Sequence, residues 1–373
     1  MSPLRVVVAP DSFKGSASAV TVAAAVARGW LDARSDDVLV EAPLADGGEG
    51  TLDAFEAAVP GAERRTTMVP GPDDRLVEAP WLLLPDGTAV VELAAASGLT
   101  LLAEPRPYDA HTRGVGRVIV AALDAGATAL VIGLGGSAST DGGAGLLSEL
   151  GARLLDSVGD VVPDGAHGLA AAARIDLGAL RPLPARGVTV LADVTNPLTG
   201  PHGAAAVFGP QKGASRDDVL ALDDGLRRFS QLVDVDPDTA GAGAAGGAAF
   251  GLLVWGASLA PGARAVSDLV GLPRLVVGAD VVITGEGRLD EQTADGKAVS
   301  WVTRVARDAG ASVFVVAGSV ETSDGDHDLA VSLSDLAGGA GESLLNPESW
   351  AERAGAVLAR HDLTKERASR RRD

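Results

Sequence analysis

The stretch Ala129-Leu130-Val131-Ile132-Gly133-Leu134-Gly135-Gly136-Ser137-Ala138-Ser139-Thr140-Asp141-Gly142-Gly143-Ala144-Gly145 carries an apolar run straight into a glycine- and hydroxyl-rich turn. Such a run reads as a buried strand. In the turn, three hydroxyls and one carboxylate lie among five glycines between Gly135 and Gly145. Glycines let the backbone turn and aim N–H groups at an anion, and Thr140 or Asp141 is placed to cap the helix that follows. The expected guest is phosphate, and the plain alternative is a Gly-rich strand-to-helix turn.

The same punctuation recurs on both sides. Upstream, Arg5-Val6-Val7-Val8-Ala9 reads as a strand ending in Pro10-Asp11-Ser12-Phe13-Lys14-Gly15-Ser16, before a helix from about Ser18 to Leu31. Asp11, Ser12 and Lys14 then sit at the carboxyl end of a strand, where open α/β sheets hold ligands. A second strand, Val38 to Ala42, leads into Asp46-Gly47-Gly48-Glu49-Gly50 and another helix. Asp46 and Glu49 fit a magnesium ion or substrate hydroxyls, or simply a helix dipole. From Arg64 to Leu93 the pattern changes to strands joined by Pro70-Gly71-Pro72 and Asp86-Gly87, which marks an inserted or second domain.

Downstream, Val188 to Ala192 is a further strand, ending in Asp193-Val194-Thr195-Asn196-Pro197. Asp193 is the candidate base that takes or orients the proton of an attacking alcohol, although Asp-x-x-Asn-Pro also suits a structural turn. Phe208-Gly209-Pro210-Gln211-Lys212-Gly213 presents a lysine between proline-bearing and glycine residues. Strand Asp280 to Thr284 opens into Gly285-Glu286-Gly287-Arg288-Leu289-Asp290, with Lys297 close behind, and a ligand loop is expected there.

Composition bounds the function. The 373 residues predict about two domains, and 46% hydrophobic with 22% charged residues is a soluble globular balance. The chain has no cysteine, which excludes disulfides, thiolate nucleophiles and Cys-ligated zinc. No secretory signature is read at the start, so the cytoplasm is expected. A formal net charge of −19 argues against nucleic acid and anionic membranes as partners and requires a local positive pocket for an anionic ligand. Lysine points to it: the basic residues number 31, but Lys14, Lys212 and Lys297, each beside glycine, are three of only four lysines. A lysine is a compact, movable point charge suited to a phosphoryl group. The uncharged run from Gly241 to Ala263 is broken by glycines and Pro261 and reads as a loop and a buried helix, not a membrane span.

Six blocks, built on Asp11 to Ser16, Ala45 to Thr51, Gly133 to Gly145, Asp193 to Leu198, Val207 to Ala214 and Ile283 to Asp290, together resemble the bacterial glycerate kinase family of the glycerate 2-kinase type. The resemblance implies MgATP-dependent phosphorylation of D-glycerate, the 2-position favoured over the 3-position. It also implies a two-domain α/β fold in which a Rossmann-like three-layer domain formed by both chain ends, residues 1–70 and 285–373, carries an inserted α/β domain, 71–284, with the active site in the cleft between them. A homodimer is compatible with it.

The residue roles follow as expectations. Asp193 is the base, while Lys14 and Lys212 neutralise the transferring phosphoryl group or the substrate carboxylate. Gly135, Gly136, Ser137, Ser139 and Thr140, with Lys297, bind nucleotide phosphates. Asp11, Ser12, Asn196 and Arg288 meet substrate, and Asp46, Asp141 or Glu286 reach Mg²⁺ directly or through water. One block departs from the family pattern: His111-Thr112-Arg113-Gly114-Val115-Gly116-Arg117 stands where Ser-Thr-aromatic-Gly-Thr-Gly-Glu is expected. Arg113 and Arg117 would add positive charge to any ligand met there. Two rival readings remain: an NAD-dependent oxidoreductase of a small hydroxy acid, from Gly133-x-Gly135-x-x-Ala138 and Asp156, and a non-catalytic binder of small anions.

Overall fold

The computed structural model describes residues 2–13, 15–289, 298–321 and 326–361. Lys14, Asp290, Lys297 and the basic end beyond Lys365 lie outside the described residues. In chain order the strands are β1 (Arg5–Pro10), β2 (Val38–Glu41), β3 (Glu63–Pro70), β4 (Leu76–Leu83), β5 (Thr88–Glu92), β6 (Ala129–Gly133) and β7 (Arg153–Leu155). There follow β8 (Arg174–Asp176), β9 (Val188–Leu191), β10 (Ser258–Ala260), β11 (Val281–Leu289), β12 (Ser312–Val320) and β13 (Leu329–Ser332). They belong to a mixed α/β fold of two compact units.

The first unit comprises residues 1–46, 53–58 and 263–373. Its sheet runs β13-β12-β11-β1-β2, parallel throughout. The chain leaves β1 toward β2 and leaves β11 toward β12, so the order reverses between β1 and β11. That is where open α/β sheets open a crevice at their carboxyl ends. There Asp11 N–H donates to the Gly285 carbonyl at 2.8 Å. Val6, Val7 and Val8 are fully buried, as a strand covered on both faces requires. Helix Ala19–Ala33 packs its buried Val22, Val26 and Trp30 into this core, and its N-cap is Ser18, whose side chain accepts from Thr21 N–H.

The second unit comprises residues 47–52 and 59–262. Its sheet runs β10-β9-β6-β5-β4-β3; the first four strands are parallel, and β4 and β3 are antiparallel additions. Strands β7 and β8 form a separate antiparallel pair. A single large core, from Val69 and Trp81 through Ile132 and Leu146 to Phe229 and Phe250, fills this unit. Phe229 meets Phe250 edge-on at 5.8 Å between ring centroids, an arrangement worth about 1 kcal/mol beyond burial.

Two boundaries differ from those read in the sequence, at 58/59 rather than 70/71 and at 262/263 rather than 284/285. The reason is pairing: β3 bonds to β4 along its whole length, and β11 bonds to β1 from Val281 to Gly285. Pairing also corrects the expected loop after Thr284. β11 continues to Leu289, because Glu286 and Arg288 stay in register with Ala317 and Ser319 of β12. No described helix is long and apolar enough to cross a membrane; the apolar run after Gly241 folds into the buried helix Ala248–Trp255 and β10.

Candidate active site

In the second unit the four parallel strands end at the loops that hold the hydroxyl-rich turn. Gly133 and Gly135 are required there by close approach. A Cβ on Gly133 would lie 2.5 Å from the Gly47 carbonyl oxygen, and one on Gly135 would lie 2.4 Å from Gly48 Cα. The Gly47-Gly48 backbone therefore rests directly on the end of β6. Just beyond, Thr51 Oγ1 donates to the Gly48 carbonyl at 2.7 Å, and Leu52 N–H donates to the Glu92 carboxylate at 2.7 Å.

Past Gly136 the chain bends around a buried lysine. Lys212 is 1% exposed, and its Nζ donates to Ser137 Oγ at 2.8 Å and to the Ser139 carbonyl at 2.5 Å. It reaches this position from a short 3₁₀ turn, Pro210–Lys212, closed by Gly213 in the left-handed region. Burial pushes the amine down to about 7, against the opposing field of Asp141. Ser139 and Thr140 are fully buried, and their hydroxyl oxygens have no hydrogen-bond partner among the described residues. Such groups carry a desolvation cost until a ligand satisfies them. A buried lysine bonded to Ser137 and the Ser139 carbonyl, on a glycine-rich turn with two unsatisfied hydroxyls, has the chemistry that suits an anion.

Asp141 differs from the expected metal ligand. Its carboxylate is fully buried and accepts from Thr112 N–H at 2.9 Å, Thr112 Oγ1 at 2.7 Å, Gly143 N–H at 3.1 Å and Gly145 N–H at 3.2 Å. Four donors occupy both oxygens. Asp141, not Thr140, thus satisfies the backbone at the start of helix Ala144–Glu149. Among the described residues no three His, Asp or Glu side chains gather to hold a metal.

The departed block is also resolved by its contacts. Arg113 donates to Glu149 at 2.8 Å and pairs with Asp164 at 3.1 Å, and Arg117 pairs with the same Glu149. These guanidinium groups line an open pocket of about 400 Å³ with Ser148, Leu154 and Val162. They are matched by carboxylates and add no unbalanced positive charge to the phosphate turn.

Asp193 stands exposed beyond the end of β9, and its Oδ1 accepts from Gly262 N–H at 2.7 Å, which fixes the carboxylate at one oxygen. Asn196 is a turn organiser: its side chain donates to the His202 carbonyl at 2.8 Å and its own carbonyl accepts from Gly243 N–H at 2.9 Å. Two residues escaped the sequence reading of this turn. Thr112 carried a visible signal as the retained hydroxyl of the departed block. Gly246 carried none, since only the fold brings it against Ser139.

In the first unit, Asp11 is 7% exposed and turns its carboxylate onto Ser12 N–H at 2.6 Å. Asp46 and Glu286 are half-buried, whereas Arg288 is exposed and pairs at 2.6 Å with Glu321, just past the end of the neighbouring strand β12.

The NAD reading fails on topology. The fingerprint needs a parallel βαβ unit with the acidic residue at the end of the second strand. Here the strand after the helix is β7, in an antiparallel pair, and Asp156 closes a tight turn by accepting from the N–H groups of Val158, Gly159 and Asp160.

Comparison with known proteins identifies the family. The family model described as the glycerate kinase family matches residues 6–360. The chain is 43% identical over 328 residues to the glycerate 2-kinase of Escherichia coli K12, an alignment covering 85% of this chain and 86% of that protein. It is 43% identical over 327 residues to the glycerate kinase of Bacillus subtilis 168, covering 85% of each. The crystal structure described as a glycerate kinase 2 from Salmonella typhimurium LT2 superposes with a TM-score of 0.84 at 38% identity, covering 99% of this chain and 100% of that one. On its sequence and its fold, this chain belongs to the glycerate kinase family.

Proposed function

We propose that the protein transfers the γ-phosphoryl group of ATP to the 2-hydroxyl of D-glycerate. The observation that carries the reading is Lys212, a buried amine beside two unsatisfied hydroxyls on a glycine-rich turn, within a chain that belongs to the glycerate kinase family. Direct transfer between oxygens requires positioning and charge neutralisation more than covalent chemistry.

Each part has work that suits it. The backbone from Gly135 to Thr140, with the Ser139 and Thr140 hydroxyls, binds nucleotide phosphate oxygens, and Lys212 holds the turn closed while contributing positive charge. Asp193, whose Oδ1 accepts from Gly262 N–H, is assigned to the proton of the attacking hydroxyl. Asp11, Ser12 and Arg288 are assigned to substrate, with Lys14 and Lys297 to phosphoryl charge. Mg²⁺ enters with the nucleotide and neutralises phosphate charge, which needs only one or two protein carboxylates; Asp46 and Glu286 are assigned to it.

The test is ADP release from MgATP with and without D-glycerate, with the product supplied to enolase. Glycerate-dependent release and direct consumption by enolase establish the 2-kinase. Consumption only after a phosphoglycerate mutase is added makes the enzyme a 3-kinase, and absence of release leaves an anion binder.

A further inference from the structure

Two groups that the reaction itself does not use are tied into the phosphate turn. Thr112 precedes helix Arg113–Asp124, and its hydroxyl accepts from Leu146 N–H at 2.9 Å while donating to Asp141 Oδ2 at 2.7 Å. A hydroxyl that both accepts and donates is a relay with a fixed direction. The relay ends on a fully buried carboxylate, which also accepts from Gly143 and Gly145, and whose field reaches Lys212. Lys212 in turn grips Ser137 and Ser139. Hydrogen bonds therefore run from Leu146 through Thr112 to Asp141, which directly follows Ser139 and Thr140 in the chain, and Lys212 holds the same turn from its other side through Ser137 and the Ser139 carbonyl.

We propose that Thr112 and Asp141 are positioning residues of the phosphate turn, which hold Ser139 and Thr140 in place and keep Lys212 charged without touching the nucleotide themselves. The inference rests on the kinase reading above. Its physical basis is that the fully buried Asp141 carboxylate is committed to its own turn and to Thr112, with three donors on Oδ2 and Gly143 N–H on Oδ1. Its negative charge nonetheless acts on an amine that burial would otherwise neutralise. Among the described residues Asp141 is the charge that acts on Lys212. Arg113 and Arg117, on the adjoining helix, face Glu149 and Asp164 instead, and His111 faces Asp74 at 3.3 Å.

The sign follows. Phosphate favours the charged amine, so MgATP affinity falls as pH rises past the lysine's titration. Removing the Asp141 charge moves that fall to lower pH.

The experiment compares the intact wild-type enzyme with Asp141→Asn, Thr112→Val and Thr112→Ser, measuring kcat and the MgATP KM between pH 6 and 9, MgADP binding by calorimetry, and thermal unfolding. For Asp141→Asn the expected result is about a tenfold rise in the MgATP KM at pH 8, a smaller rise at pH 6, and parallel weakening of MgADP. Thr112→Val is expected to repeat the loss in weaker form, and Thr112→Ser, which keeps the relay hydroxyl, to restore it. Thr112→Val measures the relay even where Asp141→Asn does not accumulate as folded protein. Lowered thermal stability with unchanged KM, MgADP affinity and pH profile in the folded variants overturns the proposal. A wild-type enzyme without glycerate-dependent turnover overturns the kinase reading instead, while the MgADP titrations still decide whether the two residues position the turn.

Discussion

Lys212 Nζ donates to the Ser139 carbonyl from a position 1% exposed, so the amine that holds the hydroxyl-rich turn is also one of the most buried polar groups among the described residues. Burial lowers its pKa from 10.5 to about 7, and this makes the folded state a poorer proton binder than the unfolded chain between those values. Stability therefore rises with pH across that window, by at most about 1.4 kcal/mol per pH unit from this group, and is flat below it. Lys212→Met is expected to remove that slope and to abolish most turnover. Urea unfolding of both proteins at pH 7 and pH 9 checks it; equal slopes would show that the amine stays charged.

Gly246 has φ +68°, and a Cβ there would lie 1.9 Å from the Ser139 carbonyl oxygen and 2.9 Å from Lys212 Nζ. Gly246→Ala is expected to push the turn from its seat, with a loss of kcat/KM of about 100-fold, as a displacement of about 1 Å at a reacting geometry costs. Gly341→Ala is the control: its Cβ meets nothing within 4 Å, it lies in helix Ala340–Leu345, and alanine favours a helix. Steady-state kinetics of the two variants decide between a local steric effect and a general sensitivity to glycine replacement.

The strand and glycine-rich turn were legible because their message is local: apolar strand, glycines and hydroxyls follow one another in seventeen consecutive residues. Lys212 was legible too, through lysine scarcity and its glycine neighbour. What it does was not, because its partners Ser137 and Ser139 lie more than seventy residues upstream. The bonding of Asp141 was hidden for the same reason, since two of the four bonds it accepts come from Thr112, 29 residues away. The stretch after Thr284 looked like a loop by composition, and only pairing with β12 makes it a strand. Gly246 lay in a run of alanine and glycine where nothing local marks the positions, Gly243, Gly246 and Gly247 among them, that must lack a side chain.

Asp37 is the corresponding strong point of the first unit. It is 7% exposed and accepts from Leu4 N–H at 2.9 Å, Trp30 Nε1 at 2.9 Å and Arg34 Nε at 2.6 Å. Burial alone would raise its pKa, but these hydrogen bonds and the Arg34 charge hold it below the usual carboxylate value of 3.8. A depressed carboxylate contributes stability that is present above 3.8 and is lost as pH falls through the folded value. Asp37→Asn is expected to cost about 3 kcal/mol at neutral pH, because a partly buried guanidinium loses its counter-charge. It should also weaken the acid dependence of unfolding, which denaturant melts at pH 3 and pH 7 measure.

Asp193 separates chemistry from binding. Asparagine in its place still accepts from Gly262 N–H through the amide oxygen, so the end of β9 keeps its geometry, while the second oxygen is replaced by a donor that takes no proton. If Asp193 orients and receives the glycerate hydroxyl proton, Asp193→Asn lowers kcat by about 10²- to 10⁴-fold and leaves the MgATP KM close to wild type. If it serves only the turn, kcat stays within a few-fold and the change appears in thermal stability. Ser or Ala at this position removes the Gly262 acceptor as well, and a further fall in stability without a further fall in kcat would separate the two functions of the carboxylate. Rapid-quench single turnovers, which isolate the transfer step from product release, give the comparison directly.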